Sequence, residues 1–414
     1  MSLAEAVVAA PERFTGTVPV PVLEARIERV RTAMIADDLD ALIVFGSPRL
    51  LGSRTKTAGY VQYLAGYSAR PTPSTVVLSA SGAAAVLAFG VHEHREFSRR
   101  SAWLGEIVQA GEQRLHPEAA ARILAEAGIR RGARIGVIGI DELSHPAHQE
   151  LTERFREYWI VAAEGLLDRL RLTRAPEEVD MLRTSARISD AMIAAAFAES
   201  ARPGASGPSV MAEIEHTGRL LGADSANCWL SIGEEPPTTY FEFMELPDLI
   251  TDSDRVQLGT TTAYEGYFGQ CLRMGVRGRP DAKLTAYAEI LLQIQDAALA
   301  AMRPGEPLHR VIDVIEDQYA LHAPFTRETD PFRFQSCHGL GLTYVEPGMA
   351  RDLNPLRDRS LDDSGVLIEK GMVIEVHPNF TVPGLGCIVA GDMALVTDDG
   401  AVWITESPRG IWEI

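Results

Sequence analysis

In the stretch EKGMVIEVHPNF (369–380), Glu375 and His377 stand two residues apart. A strand repeats its side-chain direction every second residue, so the two share a face. A carboxylate beside an imidazole is acid–base equipment. The carboxylate raises the imidazole pKa and fixes its tautomer, and the imidazole moves a proton near neutral pH. His377 is the expected base of such a pair, with Glu375 as its orienting partner. His92 and His94 in VHEHRE (91–96) also alternate, but no third metal ligand stands near them, so they read as a solvated loop or strand end. Cys228, Cys271, Cys337 and Cys387 are widely spread and form no CxxC pair. That predicts free thiols in a reducing cytoplasm.

The elements that must position these residues follow from periodicity. Residues 21–36 carry apolar positions at helical spacing. ALIVF (41–45), YVQYLAGY (60–67), STVVLS (74–79) and AAAVLAF (83–89) read as strands separated by turn residues. A helix around 117–127, the strand RIGVIGI (134–140) and a helix around 145–155 complete an α/β pattern. At Pro176, followed by Glu177 and Glu178, a helix of about twenty residues begins. Beyond it helices and long strands alternate without strict βαβ order, which predicts an α+β domain. The expected division is 1–169 and 170–414.

A chain of 414 residues is too long for one ordinary core, and its 46% hydrophobic content is that of a soluble globular protein. The formal net charge of −18 argues against nucleic acid as a partner, because phosphate binding needs clustered Lys and Arg. The N-terminus lacks a basic n-region, and no run approaches the apolar length of a membrane span. A cytoplasmic protein with a small-molecule substrate is the expectation, with neither nucleic acid nor membrane as partner.

Four segments in order then resemble the creatinase/prolidase, methionine-aminopeptidase-like family. DRVQLGTTTAYEGYFGQCLRMG (254–275) is similar to its strand, Gly-Tyr turn and strand. CHGLGL (337–342) matches its His-Gly-x-Gly element, EKGMVIEVHPNF its Gly-Met-Val…Glu-Pro, and GCIVAGDMALVTDDGAVWIT its last strands. The resemblance implies a C-terminal pita-bread domain behind an α/β creatinase-like domain. The family's metal enzymes hold two divalent ions with two Asp, one His and two Glu. Here those positions fall on Gly259, Gln270, His338, His377 and Gly391. Clustered oxygen ligands are what hard ions need, so no metal and no other cofactor is expected. Alternation turns Asp392 away from the pocket face and Glu375 towards it.

Creatinase shows, by the same resemblance, that this fold hydrolyses a C–N bond without metal, using a histidine shuttle. In SIGEEPPTTYF (231–241) the matching residue is Tyr240, whose phenol titrates near about 10 and is a poor base at neutral pH. The family's second histidine is replaced by Val345, while Glu346 remains. His377, Glu375 and His338 are the expected catalytic residues. Tyr240, Glu242, Gln270 and Arg273 are expected to bind substrate, and His338, Gln270 or Tyr240 to donate to an oxyanion. Arg273 has a competing reading as one half of an internal ion pair. Tyr67 and Arg70 in GYSARPTPS (66–74) match the types that creatinase presents to the other subunit's pocket, which implies a homodimer. The expected function is metal-independent cleavage, by hydrolysis or lysis, of a C–N or related bond in a small polar amide, amidine or amino-acid derivative. A non-catalytic pita-bread domain that binds a peptide or protein is the alternative, and an Xaa-Pro peptidase a further one that the lost ligands oppose.

Overall fold

The computed structural model describes residues 18–48, 57–236, 246–322, 337–346 and 365–414. The chain forms two compact units, one of Gly16–Arg171 with Leu342–Tyr344, the other of Leu172–Gly341 with Val345–Ile414. No described helix is long and apolar enough to cross a membrane.

The first unit is built on a six-stranded mixed sheet of order β4-β3-β2-β1-β5-β6. Its elements are α1 (Val20–Ala36), β1 (Ala41–Gly46), α2 (Thr57–Ala65), β2 (Ser74–Ser79), β3 (Ala84–Ala88), α3 (Val91–Ser101), β4 (Glu106–Gln109), α4 (His116–Glu126), β5 (Arg134–Ile138), α5 (His145–Arg154), β6 (Trp159–Ala162) and α6 (Glu164–Arg171). β1 is buried along its whole length, which explains its unbroken apolar run. Two expectations fail here. YVQYLAGY is largely helix α2, not a strand. Every residue of that helix is buried, so the one-sided apolar stripe that marks a helix is absent. VHEHRE opens helix α3 rather than a strand end or loop, and His94 Nε2 meets the Ile107 carbonyl at 3.1 Å, tying the helix to β4.

The second unit carries α7 (Pro176–Ser200), α8 (Gly207–Leu220), β7 (Ser225–Gly233), β8 (Arg255–Tyr264), β9 (Tyr267–Val276), α9 (Ala282–Ala301), α10 (Arg310–His322), β10 (Cys337–Gly339), β11 (Val373–Val376), β12 (Phe380–Val382), β13 (Gly386–Ile388), β14 (Asp392–Val396), β15 (Ala401–Trp403) and β16 (Ile411–Glu413). Pro176 opens α7, and the Glu178 side chain accepts the Ala175 N–H at 2.9 Å, a capping contact on the first turn. Two four-stranded sheets, β16-β9-β8-β7 and β10-β11-β14-β15, meet at an antiparallel bridge between Leu272 and Gly391. The β8–β9 hairpin turns through Glu265 and Gly266, both at positive φ, and this turn sets the register of the whole ladder.

One face of β7-β8-β9 packs on α7 and α8, through Cys228, Leu230, Val256, Leu258 and Cys271. The other face, with Trp229, Leu272 and Met274, belongs to the core that includes α9, α10 and the second sheet. Which face a strand residue takes therefore decides whether it meets the helix pair or the surface where the two sheets join.

Candidate functional site

Registers place the polar residues in rows. Thr261 pairs with Gln270 across β8 and β9, and the Gln270 N–H points at Met393 Sδ, 3.3 Å away. Met393 pairs with Glu375, and Glu375 with His338. Directly opposite residues in a ladder share a face, so Gln270, Met393, Glu375 and His338 form one continuous row. The neighbouring row is Trp229, Gly259, Leu272 and Gly391, and extending the β11–β14 register by one residue sets His377 across from Gly391. Gln270, His338, Glu375 and His377 are all buried on this face.

The two imidazoles face each other edge to plane, with ring centroids 5.1 Å apart and an interplanar angle of 66°. His338 Nδ1 lies 3.0 Å from the Gly339 carbonyl. A carbonyl only accepts, so Nδ1 carries the proton in this contact.

Glu375 departs from expectation. It is fully buried, and among the described residues neither carboxyl oxygen has a hydrogen-bond partner. It makes no hydrogen bond to His377. Residues two apart on a strand are separated by about 6.6 Å of rise, too far for direct contact unless the side chains converge. Here the carboxyl instead leans over Gly391, with Oε1 2.6 Å from where a Cβ at that glycine would sit. Burial raises its pKa well above the carboxylate range. Asp392 and Asp190 push the same way, and Arg273 pulls only partly against them. Contrary to the expectation from spacing, Glu375 does not hold His377 through a hydrogen bond.

Arg273 is a second correction. Strand alternation puts it opposite Gln270 and Leu272, on the helix side of β9, so it is not a substrate ligand on this face. It is fully buried and pairs with Asp392, Nη2 to Oδ1 at 2.6 Å and Nη1 to Oδ2 at 3.2 Å. It also donates to the carbonyls of Gly391, Ser407 and Pro408. Asp392 additionally accepts from Thr405 at 2.7 Å and from Gln295 at 3.1 Å. Gln295 Nε2 also reaches the carbonyl of Val376, the residue before His377. Asp392 does point away from the site face, as alternation required. Behind the face, then, lies a buried ionic network holding the strands that carry the site.

Of the remaining expected residues, Tyr240 and Glu242 lie outside the described residues. Tyr67 and Arg70 belong to the first unit. There the Tyr67 ring packs edge-on against Phe97 at 4.9 Å, with the Arg100 guanidinium 4.9 Å from its centroid. Glu346 is buried against Arg174, 3.3 Å away, and the pair closes over Gly341, where any side chain would collide with both. Trp229 is the site residue that the sequence did not reveal. Its indole lies across Gly259, directly opposite in the ladder, and only strand pairing exposes that relation.

The residues can be tested against a two-metal centre. A Cβ on Gly259 would collide with Trp229 Nε1 and come within 2.5 Å of Cε2. A Cβ on Gly391 would collide with Leu272 and with Glu375. The space for two of the four carboxylates is thus filled by an indole ring and by a relocated carboxyl. Among the described residues no group of three or more His, Cys, Asp or Glu side chains is arranged to hold a metal ion. Two imidazoles, an amide and the single carboxyl of Glu375 do not balance two divalent ions, which need clustered oxygen ligands. The described residues do not fit the centre.

The Metallopeptidase family M24 model matches residues 180–398, and that of the Creatinase/Prolidase N-terminal domain matches residues 26–173. The chain is 26% identical over 251 residues to a protein named uncharacterized peptidase YqhT from Bacillus subtilis, covering 60% of this chain and 67% of that one. It is 25% identical over 277 residues to an Xaa-Pro dipeptidase from Pyrococcus furiosus, covering 66% and 74%. The solved structure of an Xaa-Pro dipeptidase from Bacillus anthracis superposes with a TM-score of 0.74, at 23% identity, covering 95% of this chain and all of that one. At that identity the structural likeness is one of fold.

Proposed function

The chain belongs to the M24 family and carries the creatinase/prolidase type of N-terminal domain, and from that premise we propose that it hydrolyses a C–N bond in a small polar amide or amino-acid derivative without a metal. The observation that carries the reading is the pair of facing imidazoles, His338 and His377, on a face whose metal-ligand space is filled by Trp229 and Glu375. Relatives named Xaa-Pro dipeptidase support a small peptide-like substrate. The missing carboxylates separate this chain from the metal chemistry in the family's description.

In the proposed reaction His338 Nε2 takes a proton from water as its oxygen attacks the scissile carbon. His377, facing it, gives a proton to the departing nitrogen as the C–N bond breaks. The products are an acid and an amine, and the proton taken from water restores the pair. Positioned groups of this kind contribute about 10²–10⁴-fold each. Gln270 stabilises the oxygen that gains charge. The same pair would serve a lyase, in which the base removes a C–H proton and no water enters. A panel of small amides, amidines and dipeptides, assayed in excess chelator with product analysis in ¹⁸O-labelled water, separates the two. Incorporated label supports hydrolysis, an unsaturated unlabelled product supports the lyase, and no turnover of any member counts against an enzyme.

The proposal includes a two-fold dimer in which Tyr67 and Arg70 of one protomer serve the site of its partner. A monomer by light scattering at micromolar concentration would contradict this part. A cytoplasmic location belongs to the same reading, suited by four free cysteines, all buried.

A further inference from the structure

A buried acceptor with nothing to accept from costs about 1–3 kcal/mol, because it has given up water without gaining a bond. Native chains keep few such groups, and a ligand that supplies the missing donor is one reason to keep them. Two stand together on the face described above. Among the described residues neither oxygen of fully buried Glu375 has a partner, nor has Oε1 of Gln270, which is 2% exposed. They sit in one row of the ladder, on either side of Met393.

Both groups lack donors, and Glu375 also lacks a countercharge. The guanidinium that acts on it, Arg273, is on the far face of β9 and is taken by Asp392. Arg255, the other buried arginine of this hairpin, gives Nη2 to the carbonyls of Leu385 and Cys387. Beside them Trp229 offers an indole ring, a surface that favours cations. An anion would bring further acceptors to two that already lack a donor. A neutral amide would leave the buried carboxyl without a charge partner.

We propose that this face binds a cationic nitrogen group, an ammonium or an amidinium, whose N–H bonds go to Glu375 and to Gln270 Oε1 and whose flank rests on Trp229. This rests on reading the face as the substrate site, and it names the substrate class: a small amide or amino-acid derivative with a protonated nitrogen near the bond that is cut.

Calorimetric titration of the full-length protein tests it with acetamidinium, acetamide and acetate, which share a planar shape and differ in charge and donors, and with methylammonium. The expected result is that a cation binds at least about ten-fold more tightly than acetamide, as charge-assisted bonds exceed neutral ones, and that acetate does not bind. A preference for acetamidinium over methylammonium assigns a planar group, and the reverse a tetrahedral one. Glu375→Gln should erase the preference for cations without lowering Tm, since it removes a buried group that has no partner. Acetamide binding as well as either cation, no binding by any cation, or a Glu375→Gln variant that keeps the preference would overturn the inference. The titration needs no turnover. A protein that binds the cations yet cleaves nothing leaves this inference standing and sinks the hydrolase proposal alone.

Discussion

Replacing His377 by alanine is expected to lower kcat by about 10²–10⁴-fold, the range for one positioned acid–base group. The ring lies edge to plane with His338, 5.1 Å between centroids, on a face whose described residues form no metal-binding group to share the proton work. His338→Ala should cost as much, and the double variant little more than either single one, because the two act in one proton cycle. Glu375→Gln should behave differently. Glu375 makes no hydrogen bond to His377, so its loss should appear chiefly in KM. Steady-state kinetics on the substrate found by the panel would decide. A His377→Ala variant with unchanged kcat would remove the catalytic assignment, and a Glu375→Gln variant that fails in kcat alone would restore the orienting role.

Arg273→Leu is expected to destabilise the second unit by about 3–5 kcal/mol, the usual result of removing one partner of a buried ion pair. The variant leaves Asp392 fully buried without its bidentate partner and deprives the carbonyls of Gly391, Ser407 and Pro408 of a donor. Asp190, already pushed up to about 6 by burial, loses the guanidinium that opposes that push. A second substitution identifies the mechanism. With Asp392→Leu added, no carboxylate remains at that position to be stranded, and much of the loss should be recovered. Denaturant unfolding followed by tryptophan fluorescence measures both. A loss below about 1 kcal/mol for Arg273→Leu, the range of exposed pairs, would show that the network does not hold the strands.

Much of this site was legible from alternation. The two-residue spacing of Glu375 and His377 put both on one face, and the odd offset of Asp392 turned it to the other, where Arg273 receives it. The same rule, applied to Gln270 and Arg273, assigns them to opposite faces. Grouping them as substrate ligands ignored that three-residue offset. The Glu375–His377 hydrogen bond failed for a reason no single strand reveals. The carboxyl leans across β14 into room that a glycine leaves, and that glycine is a neighbour only through the ladder. Trp229 was hidden in the same way, since its partner Gly259 is thirty residues on in the chain. Helix α2 was misread because its aromatic and branched residues are buried on every side, with Tyr60 bonded to Asp168 and stacked under Arg171. Periodicity is informative only when one side of an element meets water.

Chelation followed by reloading tests metal independence most directly. The full-length protein, stripped with chelator, is incubated with Mn(II), Co(II) or Zn(II) and passed through a desalting column. Metal per chain is then read by elemental analysis, with activity measured on the stripped and reloaded samples. With Gly259 under an indole and Gly391 under a carboxyl, the expected result is well below one equivalent of any ion, and the same rate before and after stripping. Two equivalents retained per chain, with activity lost on stripping and regained on reloading, would contradict the account.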